Sequence, residues 1–203
     1  MGKVEQRRVR LVCDLGAVGA EAEDFIVYCP FLAGRDPATR FWLGSLAWHD
    51  CNAQLLATLP PATAPSCPVY VGVFGVDPFR RDEDMFAAIH AARLGGVINL
   101  PSVSVMDGGL AAILDSFDLG VQREVAFLRR ARDAGLRIAG CAADAAVADA
   151  MVQAGADFIV AHAGPPMPGK ADSGRAAAAR LRRRYGDATP VMSAGELLAT
   201  LTG

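Results

Sequence analysis

No apolar run in this sequence approaches the ~20 residues that a membrane-spanning helix needs, so no membrane partner is expected. The opening Met1-Gly-Lys-Val-Glu-Gln-Arg-Arg8 has no apolar core behind it, which predicts no secretory leader. Charge of either sign is in short supply as an excess: 20 Lys and Arg against 22 Asp and Glu leave −2, which excludes a nucleic-acid footprint. The densest basic run, Arg180 to Arg184, reads as the solvated face of a helix. There is no Gly-x-Ser-x-Gly and no paired Cys–His spacing, so no nucleophile motif is present. No Gly-x-Gly-x-x-Gly follows the first strand, which weakens a dinucleotide-binding reading. The five cysteines (Cys13, Cys29, Cys51, Cys67, Cys141) show no metal-ligand spacing. An odd number at strand-like positions fits reduced, buried thiols in a cytoplasmic protein. A lone Mg²⁺ held by one or two carboxylates leaves no sequence signature, so the cofactor stays open, with Mg²⁺ among the options.

What is present is globular. The 203 residues are 52% hydrophobic and 21% charged, enough to bury a full core, and predict a single domain over 1–203. Strands are expected at Val9 to Asp14, Phe25 to Cys29, Val69 to Phe74, Val97-Ile98, Arg137 to Cys141, Phe158 to Ala161 and Pro190 to Ser193. Helices are expected at Ser45 to Leu59, Glu83 to Arg93 with Asp82 as N-cap, Val121 to Ala134, Asp144 to Gln153, Arg175 to Tyr185 and Glu196 to Leu201, with a further helical pattern after Asp107-Gly108. The alternation predicts an α/β protein with parallel strands. The repeated phrase of broken helix, apolar strand and polar end leans toward a (β/α) TIM-barrel-like fold. Seven strands are recognisable where a full barrel has eight, and only Leu15 to Asp24 separates the first two. The barrel is therefore expected to be trimmed or incompletely closed. An open edge needs cover. A partner chain in a homodimer or higher oligomer is the expected cover, and the segment Val4 to Leu15 folding across the gap is the rival.

The candidate site residues follow from the parallel strands, whose C-terminal ends face one way. Asn99 ends a strand that stops at Pro101, where an amide either orients a carboxylate or enolate oxygen or serves as a turn residue. His162 ends the next-but-one strand, where an imidazole acts as acid, base or electrophile, or is satisfied by backbone. Asp77-Pro-Phe-Arg80 either sets a guanidinium to clamp a carboxylate or phosphate, or forms a turn with Asp77 on local backbone. Asp107 precedes Gly108 and is a turn former or a ligand. Glu124 is a proton carrier or a partner of the helix dipole. Asp50 and Asn52 are caps or ligands.

Several stretches resemble a known family in the same order along the chain. Gly96-Val-Ile-Asn-Leu-Pro-Ser-Val-Ser-Val-Met-Asp-Gly108 is similar to Gly-Val-x-Asn-Phe-Pro-Thr-Val-Gly-Leu-Ile-Asp-Gly of the phosphoenolpyruvate hydrolase-like TIM-barrel proteins, relatives of which are labelled phosphonopyruvate hydrolases. Gly44-Ser-Leu-Ala47, the Asp50-x-Asn52 pair, Asp77-Pro-Phe-Arg80, Glu124-Val125 and Ala154-Gly-Ala-Asp-Phe-Ile-Val-Ala-His-Ala-Gly164 resemble further motifs of that family. The resemblance runs from Phe25 to Gly164. The departures lie at the barrel mouth. The family's glycine-rich loop after the first strand is reduced to Gly16-Ala-Val-Gly19. Gly-Tyr-Gly-x-Glu-Val-Glu becomes Gly120-Val121-Gln122-Arg123-Glu124-Val125-Ala126. Pro165-Pro-Met-Pro-Gly169 replaces a glycine- and serine-rich loop, and Met192-Ser193-Ala194-Gly195 stands where Cys-His-Gly-Gly-Pro is expected.

The resemblance implies an enzyme on a small anionic oxo-acid or enol compound, cleaving a C–P, C–O or C–C bond next to a carbonyl as a hydrolase or lyase. In that reading Arg80 holds the anion, Asn99 stabilises an enolate-like oxygen, and His162 or Glu124 moves the proton. Ser45, Asp50, Asn52, Asp77 and Asp107, which sit in the matching motifs, would line the substrate. Two alternatives remain: a catalytically degenerate barrel that binds a ligand or partner, and a barrel repurposed for a specialised biosynthetic pathway.

Overall fold

The computed structural model describes residues 8–17, 24–34, 50–61, 66–164 and 173–201. Seven short strands form one parallel sheet in chain order: β1 (Val9–Val12), β2 (Phe25–Tyr28), β3 (Val69–Gly72), β4 (Gly96–Ile98), β5 (Arg137–Ala142), β6 (Ile159–Ala161) and β7 (Val191–Ser193). β1 and β2 pair directly, Val9 opposite Phe25, so the short link between them is an abbreviated crossover. The helices are α1 (Cys51–Thr58), α2 (Asp82–Ala91), α3 (Gly108–Ser116), α4 (Val121–Asp133), α5 (Ala145–Ala154), α6 (Ser173–Tyr185) and α7 (Ala194–Leu198). None of these is long and apolar enough to cross a membrane.

The strands read as unbroken apolar runs because both faces are buried. Successive side chains still alternate between two cores. On β3, Val69 and Val71 face the core shared with the outer helices, while Tyr70 faces inward. Around β6, Ile159 and Ala161 face outward, and Phe158 and Val160 inward. The sheet is curled enough that Phe25 of β2 stacks on Phe158 beside β6, with ring centroids 5.4 Å apart. This is a TIM-barrel-like half-barrel that does not fully close. At the N-terminal end of the strands, Phe25, Tyr70 and Phe158 meet ring to ring, and the Arg137 guanidinium lies over Phe25 and Tyr70. Gly96 is required there, since a Cβ would come within 2.8 Å of the Tyr70 ring.

The gap between β7 and β1 is filled from within the chain. Ala194 and Leu197 of α7 belong to the inner core, α7 packs on β1, β6 and β7, and the Leu11 N–H donates to Thr200 Oγ1 at 2.9 Å. Thus α7 covers this edge where a partner chain was expected; the rival segment Val4 to Leu15 contributes β1 itself, and residues 4–7 lie outside the described part. α7 starts at a capping box between Ser193 and Glu196, which also receives Arg182 of α6.

Two local expectations change. Asp82 is the first residue of α2, not its cap; Arg81 holds the cap position without a side-chain bond. The Asp82 carboxylate is taken instead by Arg130 of α4, 2.6 Å from its Nε. The helix expected from Ser45 begins at Cys51, with Asp50 capping it through the Ala53 N–H, and residues 45–49 lie outside the described part.

Candidate functional site

Because every strand is parallel, the residues that follow them share one rim. β4 ends at Asn99, fully buried, and the chain turns through a cis Leu100–Pro101 peptide bond. The Asn99 side chain behaves as one more peptide unit of the sheet. Its Oδ1 accepts the Cys141 N–H at 2.7 Å and its Nδ2 donates to the Cys141 carbonyl at 3.0 Å. The same Nδ2 reaches Glu124 Oε2 at 2.9 Å and Ser102 Oγ at 3.2 Å.

Glu124 enters from the first turn of α4 and is also fully buried. Its Oε1 accepts the Val103 N–H at 2.7 Å, and its Oε2 lies 2.8 Å from the Ser102 hydroxyl. Ser102 and Ser104 are linked at 2.7 Å. Burial disfavours the carboxylate and the three hydrogen bonds favour it; burial wins, and the Glu124 pKa rises to about 7. The neighbouring Cys141 thiol is pushed up by burial and then by Glu124, so it is no nucleophile at neutral pH.

His162 follows β6, its backbone N–H bonded to the Ala142 carbonyl at 2.9 Å. Asn99 and His162 thus flank β5 and grip consecutive residues of it. Burial lowers the His162 pKa to about 4, so the ring is neutral at ordinary pH. A Cβ added at Gly164 beyond it would lie 3.9 Å from the Val105 carbonyl, so residue 164 passes close to the turn after β4.

A second cluster follows β3. Asn52 repeats the device of Asn99: its Oδ1 accepts the Phe74 N–H and its Nδ2 donates to the Phe74 carbonyl, both at 3.0 Å. Asp77 accepts from the Phe79 N–H at 2.8 Å and from Asn52 Nδ2 at 2.9 Å. Arg80 is held by two carboxylates, Asp77 at 2.8 Å and Asp50 at 2.6 Å. Asp50 first, then Asp77, raises its pKa. Asp77 is nearly buried at 11% exposure, whereas Asp50 is 52% exposed. Among the described residues no three of His, Cys, Asp and Glu converge as a metal-ligand set, and Asp50 and Asp77 already spend their charge on Arg80.

Asp107 stands exposed at the N-cap position of α3 with no capping bond. Ser45 lies outside the described residues. Sequence reasoning passed over Ser102 and Ser104, although two serines in an otherwise apolar stretch after Pro101 are the signal that finds them. Val103, whose N–H holds Glu124, also lines a groove of about 540 Å³ between α3 and α4, bordered by Met106, Leu114, Asp115, Asp118 and Arg123.

Residues 33–195 match the model of a family described as phosphoenolpyruvate hydrolase-like. The chain is 36% identical over 124 residues to the uncharacterized protein y4oT of Sinorhizobium fredii, covering 61% of this chain and 63% of that one. It is 34% identical over 125 residues to the ToMV resistance protein Tm-1(GCR237) and to the ToMV susceptible protein tm-1(GCR26) of Solanum lycopersicum, covering 60% of this chain and 16% of each. The chain therefore spans less than two thirds of y4oT and only a small part of the two tomato proteins.

Proposed function

The chain belongs to the phosphoenolpyruvate hydrolase-like family, and from that premise we propose that it is an enzyme acting on a small anionic oxo-acid or enol compound. It cleaves a C–P, C–O or C–C bond next to the carbonyl. The supporting observation is Glu124, a buried carboxyl at the strand-end rim whose pKa lies near 7, the value that suits proton transfer at neutral pH. In a C–P or C–C cleavage of this kind the electron pair of the broken bond passes to the carbonyl oxygen as an enolate, and water takes the departing group. Glu124, protonated up to about pH 7, then returns a proton to carbon, while neutral His162 serves as an electrophile that polarises the carbonyl through a ring N–H. Asn99 is a positioning residue in this scheme: its amide is spent on β5 and on Glu124, so it sets the carboxyl rather than meeting the substrate. Arg80 holds the substrate anion by exchanging exposed Asp50 for it while Asp77 keeps the guanidinium in place. The five cysteines, none of them in a disulfide, support a cytoplasmic location.

The exhaustive internal bonding of Asn99 and Asn52 supports a second reading, a barrel that binds an anion without turning it over. One experiment separates the two. Phosphonopyruvate, phosphoenolpyruvate and oxaloacetate are offered with and without Mg²⁺, pyruvate release is followed enzymatically, and binding is followed by calorimetry. Turnover that falls by roughly 10²–10⁴-fold in Glu124→Gln supports the enzyme. Binding without turnover of any of the three supports the module. In the same titrations Arg80→Ala weakens anion binding by about 1.5–3 kcal/mol. Unchanged affinity would reduce Arg80 to a turn-former.

A further inference from the structure

Glu124 is fully buried, as are Asn99 and Ser102, and Ser104 at 9% exposure is the least enclosed member of this cluster. The carboxyl therefore does not meet a substrate directly. What joins it to the rim is a line of two hydroxyls: Ser102 Oγ is 2.8 Å from Glu124 Oε2 and 2.7 Å from Ser104 Oγ. Counting hydrogens fixes how this line is bonded. A hydroxyl has one hydrogen and two acceptor positions. Asn99 Nδ2 gives its two hydrogens to Glu124 Oε2 at 2.9 Å and the Cys141 carbonyl at 3.0 Å, both nearer than Ser102 at 3.2 Å. The Ser104 N–H fills one acceptor position of Ser102, at 3.1 Å. One hydrogen and one acceptor position are left for the two short contacts, so Ser102 accepts from one of them and donates to the other.

The direction depends on Glu124. Its Oε1 is occupied by the Val103 N–H, which leaves Oε2 for the proton. Protonated Glu124 donates to Ser102, Ser102 donates to Ser104, and the Ser104 hydrogen points away from the carboxyl. Ionised Glu124 accepts from Ser102, and Ser102 accepts from Ser104. With the Glu124 pKa at about 7, both directions are within reach at neutral pH. The neighbouring Cys141 stays a thiol and does not interrupt the line.

We propose that Ser102 and Ser104 relay the Glu124 proton to the rim, where Ser104 hands it to the enolate carbon of the substrate. This relay rests on the enzyme reading given above. The Oε2–H bond breaks as a Ser102 Oγ–H bond forms, the Ser102 hydrogen passes to Ser104, and the Ser104 hydrogen passes to carbon. The enolate electron pair makes the new C–H bond, and Glu124 is left as a carboxylate. The water that takes the departing group sheds a proton, and the same line run backwards reloads Glu124.

Ser104→Ala cuts the line at its outer end, while Glu124 keeps the Val103 N–H, Asn99 and Ser102. With the three compounds offered above, kcat is expected to fall about 10²-fold. KM should stay within about twofold of the parent. The infrared band of the Glu124 carboxyl, identified by its loss in Glu124→Gln, should titrate at the parent's midpoint. Ser104→Thr keeps the hydroxyl and should restore most of kcat, and Ser102→Ala, which cuts the line one step earlier, should lose it again. An unchanged kcat in Ser104→Ala overturns the relay. So does a loss of kcat that comes with a shifted Glu124 midpoint, since Ser104 then only shapes the carboxyl's surroundings. If the parent turns over none of the three compounds, the enzyme reading falls and hydrogen exchange decides on the relay. On transfer to D₂O the Glu124 carboxyl should then deuterate several-fold more slowly in Ser104→Ala than in the parent, and equal rates overturn the relay.

Discussion

At the N-terminal end of the strands, three aromatic rings fill the half-barrel and the polar groups stay at its margin. Tyr70 donates to Asp157 at 2.6 Å, and Asp157 also receives Arg137 at 3.1 Å. At the C-terminal end the interior holds an amide, two hydroxyls and a carboxyl joined by hydrogen bonds, and a buried imidazole. Both ends are buried, but they are held by different forces. The aromatic end is stabilised by area and shape, which do not change with pH. The polar end encloses two groups whose charge states differ from those of the unfolded chain. One end therefore answers to changes of volume and the other to changes of proton concentration.

The largest effect expected from breaking this contrast is at Phe158. Phe158→Ala removes a ring packed on Phe25 and Tyr70 and should cost about 3–5 kcal/mol, read from denaturant midpoints. That loss should be the same at pH 5 and pH 8. A pH-dependent loss would mean that the two ends are coupled.

The next effect is a slope. Glu124 stays protonated in the fold up to about pH 7 but ionises above about 4.5 in the unfolded chain, so stability falls as pH rises between those values. His162 stays neutral in the fold down to about pH 4 but is charged below about 6.5 when unfolded, so stability falls as pH drops between those values. From pH 4.5 to 6.5 the two contributions oppose each other, each about 1.4 kcal/mol per pH unit. Removing either group should uncover the other. His162→Asn should become less stable as pH rises through this window, and Glu124→Gln more stable. Parallel profiles for both variants and the parent, measured by urea unfolding, would show that neither group is held as described.

The smallest effect sharpens the contrast from the other side. Arg137→Met removes the charge over Phe25 and Tyr70 and the bond to Asp157, but the side chain is 43% exposed. The loss should be about 0.5–1 kcal/mol by thermal melting. A loss above that of Phe158→Ala would reverse the assignment of forces at this end.

Much of the fold was legible because its signals are local. The seven strands and the amphipathic α4, with Val125, Leu128 and Ala131 inward, follow from runs and spacing that need no tertiary knowledge. Asn99 and His162 were legible as strand-end residues for the same reason. Their partners were not. Asn99 grips a backbone 42 residues away, and Asp82 leaves its capping position for an arginine 48 residues away. Arg80 read as either an anion clamp or part of a turn, and its second partner stayed hidden because the carboxylate of Asp50, 30 residues earlier, carries no mark in the sequence of where it will lie. Local chemistry names the polar groups; only the curl of the sheet decides which of them spend one another.

Strand order follows chain order, so during synthesis each new strand can dock on the one made just before it. The exception is the clasp between the Leu11 N–H and Thr200 Oγ1, which joins residues 189 positions apart. While the ribosome works through that interval, the inner face of β1 at Leu11 awaits α7. The nascent half-barrel thus spends nearly its whole emergence with one flank unsealed, and its exposure to aggregation is timed by residues 194–200.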